Sequence, residues 1–255
     1  MNDDPRKVIG SVERALDVLL LMANSDRAEL GVTEIASELG LSKAVVHRIL
    51  TTLVSKGFLE SGLSRRYRLG ASSLSIGISY LDRIDIRDLA RPVLTRLSAS
   101  TSETATLSVR NGWERMYIDQ VTPDREVKMT VALGRSFPLH AGSSSKAFLA
   151  FLPVEEQERY LAEHGLSALT DRTIVDADAL RAELALVRER GFAVSEGERQ
   201  AGAGSIAAPV FNHHGETAAV ISLCGPLERF IDEIPGLSDE LLAAARELSV
   251  QLGRA

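Results

Sequence analysis

The sequence of 255 residues predicts an α+β protein built as a small helical head and a larger mixed body. Three observations predict it. Apolar residues recur at helical spacing through residues 11–53, then give way to short strand-like runs near 104–132 and 192–224. Two further helical patterns, near 71–81 and 84–100, lie between these regimes. The composition, 45% hydrophobic and 25% charged, is that of an ordinary globular chain long enough for two domains. The expected boundaries are a flexible tail at 1–10, a head at 11–70, a linker helix at 71–84 and a body at 85–255.

The head is read in chain order. Ser11 can cap a helix to about Ala23 whose apolar stripe is Val12, Ala15, Leu16, Leu19 and Met22. Thr33 to Leu39 is a short helix with Ile35, Ala36 and Leu39 on one face. Gly40 suits the left-handed conformation that ends a helix, and Ser42 can cap the next one. That helix turns Val46, Ile49, Leu50 and Leu53 inward and leaves Lys43, His47, Arg48 and Thr51 outside. A short helix, a glycine turn and a helix with a basic outer face describe a helix-turn-helix, whose second helix enters the DNA major groove. Lys56 to Glu60 then turns into a strand. Ser61 to Ser64 is a turn by composition, and Arg65 to Gly70 returns as a second strand. This completes the layout of a winged helix. Lys43, Val45, His47 and Thr51 are expected at base edges, Ser42 and Arg48 at or near phosphate, and Arg65, Arg66 and Tyr67 on the DNA backbone through the wing.

Charge supports this locally. The net charge is −6, but residues 1–70 hold 10 Lys/Arg against 9 Asp/Glu. Within residues 42–68, six basic residues face one acid, Glu60. A local basic patch on an acidic chain suits specific, salt-sensitive binding to double-stranded DNA. The single cysteine, Cys224, excludes an intramolecular disulfide and suits a reducing, cytoplasmic setting. No apolar run is long enough to span a membrane, and Met1 to Pro5 is unlike a signal peptide.

In the linker region, Leu74, Ile76, Ile78, Tyr80 and Leu81 form a mixed helical pattern. Pro92 falls inside the next helix and should kink it or reset its start. In the body, strands are expected at 104–109, 115–121, 127–132, 192–195, 205–211 and 218–224. Asn111-Gly112 marks a hairpin, and His213-His214-Gly215 a second turn. Helices are expected at 143–152, 154–163, 177–190 and 238–252. Adjacent hairpins mixed with helices imply a mainly antiparallel sheet flanked by helices.

The chain resembles the IclR family of bacterial transcriptional regulators over nearly its whole length. The head matches in SVERALDVL, LSKAVVHRIL and KGFLE. The body matches in FPLHAGSSSKAFLA, DRTIVDADALRAELALVRERGFAVSEGE and AGAGSIAAPVFNHHGETAAVISLCGP. The resemblance implies a winged-helix head, a GAF-like body that binds a small-molecule effector, and a homodimer or homotetramer on operator DNA. It implies an effector pocket at the loop His140 to Ser145, with Gly142, Ser143 and Ser144 facing Ser195, Ser205, Ser222 and Cys224 on the strands. A helix start with free N–H groups and three hydroxyls suits an anion, so the expected effector is a small organic or aromatic acid. Relatives that bind small oxoacids often carry Asp, Cys and Ser where this chain has Ser195, Ser205 and Cys224. No cofactor is implied.

The residues also admit other chemistries. Ser143-Ser144-Ser145-Lys146 fits S-x-x-K, the pattern of a serine-nucleophile hydrolase, but its partner motifs S-D-N and K-T-G are absent. Gly202 to Ala207 formally fits a dinucleotide fingerprint, yet a strand, not a helix, is expected to follow. The histidines lack metal-ligand spacing, so no metal or catalytic residue is expected. A second alternative is a DNA-binding protein whose body only oligomerises.

Overall fold

The computed structural model describes residues 9–62, 65–81 and 85–254. Most of the expected tail at 1–10, the turn residues Leu63 and Ser64, linker residues 82–84 and the side chains of Ile78, Tyr80 and Leu81 lie outside them. The chain divides into two compact units, Met1–Ile84 and Asp85–Ala255.

The first unit contains α1 (Gly10–Ala23), β1 (Leu30–Gly31), α2 (Val32–Glu38), α3 (Lys43–Ser55), β2 (Leu59–Ser61), β3 (Arg66–Leu69) and α4 (Ala71–Leu81). Gly40 sits at φ 62°, as the turn between α2 and α3 requires. The Ser42 hydroxyl accepts from Val45 N–H at 3.4 Å and caps α3. Val18, Met22, Leu30, Ile35, Val46, Leu50, Leu53 and Leu59 form the core. The strands β1, β3 and β2 make a small antiparallel sheet. Strand β1 was not anticipated: its two residues carry no periodicity, and pairing with Tyr67 and Arg66 alone makes it a strand.

The α1 stripe needs correction. Ile9, not Ser11, precedes the helix, and no side-chain cap is formed. Val18 and Met22 are buried, whereas Val12 is 52% and Leu16 is 53% exposed. The helix rotates its Val18 side onto α3. Val12, Leu16 and Leu19 instead line an open apolar groove shared with Ile49, Leu53, Phe58 and Ile76.

The second unit contains α5 (Ile86–Thr101), β4 (Thr104–Asn111), β5 (Glu114–Val121), β6 (Ser136–Pro138), α6 (Ser143–Ala150), α7 (Val154–Glu163), α8 (Ala177–Arg190), β7 (Ala193–Glu196), β8 (Ala203–Phe211), β9 (Thr217–Pro226) and α9 (Leu227–Gln251). Six antiparallel strands form one sheet in the order β6-β5-β4-β9-β8-β7. Helix α5 runs through Pro92 without interruption, with Asp85 capping it through Arg87 N–H.

Two elements differ from expectation. Residues 127–132 are not a strand. The Gln120 side-chain amide bonds both the N–H and the C=O of Val131, at 3.0 Å each, so a side chain occupies the place of a ladder. The strand that pairs with β5 is β6 instead. Helix α9 begins at Leu227, 11 residues before the expected start, and passes through Pro235. Phe230, fully buried against Gly204, and Arg229, bonded to Glu103 at 2.7 and 3.0 Å, hold that first part.

Between β4 and β5 the register shifts: Leu107 pairs with Asp119, but Ser108 pairs with Tyr117. Ile118 is therefore an extra residue, a β-bulge that re-aims its neighbours. Arg115 and Tyr117 face α6, while Asp119 faces α5, where Arg91 meets it at 2.7 Å.

Candidate functional site

On the head, Ser42, Lys43, His47, Arg48 and Thr51 are all exposed on α3. Lys43 and Arg48 form no ion pair among the described residues. Thr51 donates its hydroxyl to the His47 carbonyl at 2.8 Å, which leaves its lone pairs outward. Val45 does not stand with them; half-buried, it lines the apolar groove beside α1, and the stem of Arg48 follows it. The wing is less uniform than its sequence. Arg65 is exposed, with φ 56°. Arg66 folds back to Glu34 and the Glu29 carbonyl, each at 2.9 Å. Arg68 is held by Glu60 at 2.9 and 3.0 Å, and Tyr67 packs on the core. Of these wing arginines, Arg66 and Arg68 are paired, and Arg65 forms no ion pair among the described residues. Net charge could not reveal this, because Glu34 lies 32 residues from Arg66.

In the body, Gly142, Ser143, Ser144, Ser195, Ser205 and Cys224 line one inner cavity of about 20 Å³. Gly142, at φ 90°, opens α6 there. Its N–H is not free: Glu198 accepts it at 3.1 Å. The N–H groups of Ser143 and Ser144, in the first turn, have no intrahelical acceptor. The Ser143 and Ser205 hydroxyls share a bond of 2.7 Å. Ser222 lies on the same strand face as Cys224 but does not reach the cavity; its hydroxyl pairs with Thr106 at 2.6 Å. Burial pushes the Cys224 thiol up to about 12, so it stays protonated and neutral.

The sequence reading missed the strongest group of this cavity, Arg115. Its side chain is fully buried. The Nε–H donates to Ser145 at 3.0 Å, and the guanidinium lies 3.8 Å from the Tyr117 ring centroid. Its Nη1 and Nη2 have no hydrogen-bond partner. Burial pushes its pKa below the ordinary arginine value, with Arg199 adding like-charge repulsion. Arg199 and Gln200, also missed, complete the wall. The strand expected at 115–121 carried no assignment of its two faces. The structure buries Arg115, Tyr117 and Asp119.

The two halves of the chain match two family models: the IclR helix-turn-helix domain over residues 11–62 and the bacterial transcriptional regulator IclR C-terminal domain over residues 78–250. The chain belongs to the IclR family of bacterial transcriptional regulators. It is 37% identical to the HTH-type transcriptional regulator BhcR of Paracoccus denitrificans, over 94% of this chain and 86% of that one. A crystal structure of an IclR regulator from Silicibacter sp. TM1040 superposes with a TM-score of 0.89, at 30% identity and covering 97% of each chain. An IclR homologue from Microbacterium hydrocarbonoxydans, solved with 4-hydroxybenzoate, superposes with a TM-score of 0.60, at 26% identity and covering 95% of this chain and 99% of that one.

In this IclR-family chain the S-x-x-K residues have other duties. Lys146, 1% exposed, is bonded to Glu198 at 2.5 Å and to Glu183 at 3.0 Å. The Lys146 ammonium is turned to two carboxylates, and the Ser143 hydroxyl to Ser205. Gly202 to Ala207 enters β8, so the glycine pattern opens no helix. No helix of the described residues is long and apolar enough to cross a membrane.

Proposed function

We propose that this IclR-family regulator binds operator DNA through α3 and the wing, and that a small organic or aromatic acid in the body cavity changes that binding. The observation that carries the effector half is Arg115, a buried guanidinium with two unpartnered nitrogens beside the start of α6. A buried, unpaired cation is costly, and an acid bound there would supply its counter-charge. The homologue solved with 4-hydroxybenzoate supports an acid of this kind. Gly142, Ser143, Ser144, Ser195, Ser205 and Cys224 surround it; Ser222 acts behind them through Thr106. On the head, Lys43, His47 and Thr51 read base edges, while Ser42, Arg48 and Arg65 hold phosphates. The protein acts as two or four copies, matching two heads to two half-sites. The acid is felt at the linker through β5, which carries Arg115 toward the cavity and Asp119 toward Arg91 on α5.

The test is operator binding with and without acid, measured by fluorescence anisotropy over a salt series. Arg65→Ala weakens all sequences about equally and flattens the salt dependence. His47→Ala changes which operator is preferred. A saturating acid that left affinity and footprint unchanged would refute the switch. A body that only oligomerises would show no thermal shift with any acid.

A further inference from the structure

Outside the inner cavity lies a second, open pocket of about 400 Å³, lined by Arg135, Ser136, Phe137, Pro138, Leu169, Arg199 and Gln200. The two share Arg199 and Gln200, so the Arg199 side chain is the wall between them. Three guanidiniums are arranged around one aromatic ring. Arg115, Arg199 and Arg135 lie 4.9, 4.8 and 5.2 Å from the Phe137 centroid. None of the three forms an ion pair with a described residue. Glu198, the sequence neighbour of Arg199, is committed to Lys146 and the Gly142 N–H. Neither pocket has an acidic side chain in its lining, on a chain whose net charge is −6.

A single anion on Arg115 leaves half-buried Arg199 without a counter-charge, beside exposed Arg135. The inner cavity as it stands holds roughly one water molecule, too little for a carboxylate. Arg199, half-buried, without an ion pair among the described residues and resting on the Tyr117 and Phe137 rings, is the shared side chain whose displacement would join the two spaces. We propose that the inner cavity and the outer pocket form one site for a small dicarboxylate, with one carboxylate on Arg115 and the first turn of α6 and the other on Arg199 and Arg135. This rests on the reading that the cavity takes an acid, and it specifies that acid's charge. Ser195, Ser205 and Cys224, all neutral, line the inner cavity and present no charge that would repel a diacid.

The experiment is isothermal titration calorimetry on the full chain. Malonate, succinate, glutarate and terephthalate are compared with propionate, butyrate, valerate and benzoate, each diacid with its monoacid. At least one diacid binds 10-fold or more tightly than its partner. Arg199→Gln, its fold checked by circular dichroism, abolishes that preference, the diacid losing at least 10-fold more affinity than its monoacid. Arg115→Met removes binding of both, with circular dichroism to confirm the fold. Equal affinity within every pair overturns the dicarboxylate site, as does an Arg199→Gln variant that loses both classes equally. Anisotropy on operator DNA separates the two readings. A preferred diacid that leaves operator binding unchanged sinks the effector switch but not the site. Monoacids that shift operator binding with no diacid preference sink the site but not the switch. No binding by any of the eight sinks both.

Discussion

Arg115 carries a burial cost that the proposed acid would offset. Its positive charge is buried, its two Nη groups are unmatched, and only Ser145 and two aromatic faces compensate. Replacing it with Met keeps most of the volume and removes an unpaired charge. The ligand-free protein gains on the order of 1–3 kcal/mol, and its melting temperature rises by several degrees in a thermal scan, while acids no longer raise it further. A lower melting temperature for Arg115→Met would mean that the ring contacts outweigh the burial cost. Residues of this kind are the least legible in sequence. An arginine between Glu114 and Met116 in a strand reads as solvent-facing, and only the assembled sheet reveals that it points inward. The resemblance grouped Gly142, Ser143, Ser144, Ser195, Ser205 and Cys224, and these six do line one cavity; hydroxyl residues by themselves are not distinctive enough to be grouped. Ser222 fell short because Thr106, across the strand pair, takes its hydroxyl.

Elements were legible where local signals agreed. Helices α7 and α8 carry strong periodicity with Pro153 and Gly191 at their edges, and the structure places them at the expected residues. Errors arose where a long-range contact decided the matter: Gln120 for residues 127–132, Phe230 for the start of α9, and β3 for β1. Helix α2 is seven residues long and depends on such a contact. Glu34 accepts from the Gly31 N–H at 2.7 Å and receives Arg27 and Arg66. The Gly31 bond, then Arg66, holds its carboxyl below the usual carboxylate range. A lowered folded pKa means that the contribution is present above the unfolded value and is lost as pH falls through the lowered one. Glu34→Gln is therefore less stable than wild type at pH 7, and the two melting curves converge in acid. A difference that persisted unchanged at pH 2 would rule out charge as the source.

For the molecule as a whole, the two compact units predict that different probes see different unfolding. The only tryptophan, Trp113, lies in the second unit, packed on Tyr160 and His164. Its fluorescence follows residues 85–255 alone, whereas far-ultraviolet circular dichroism sums both units. Denaturant titration should give non-coincident curves, and a bound acid should move the fluorescence midpoint. Superimposable curves would show one cooperative unit. The two-part plan itself was legible because helical periodicity changes to strand-like runs along the chain, a property that survives any error in single elements. Ile118 has a consequence on another timescale. Losing one residue from a strand ordinarily turns every later side chain over, exchanging inside for outside. Here the extra residue already separates two correctly aimed stretches, so its loss would straighten the strand and leave Arg115, Tyr117 and Asp119 facing as they do. Deleting Ile118 is thus a change of length to which the facing of both stretches of β5 should be indifferent.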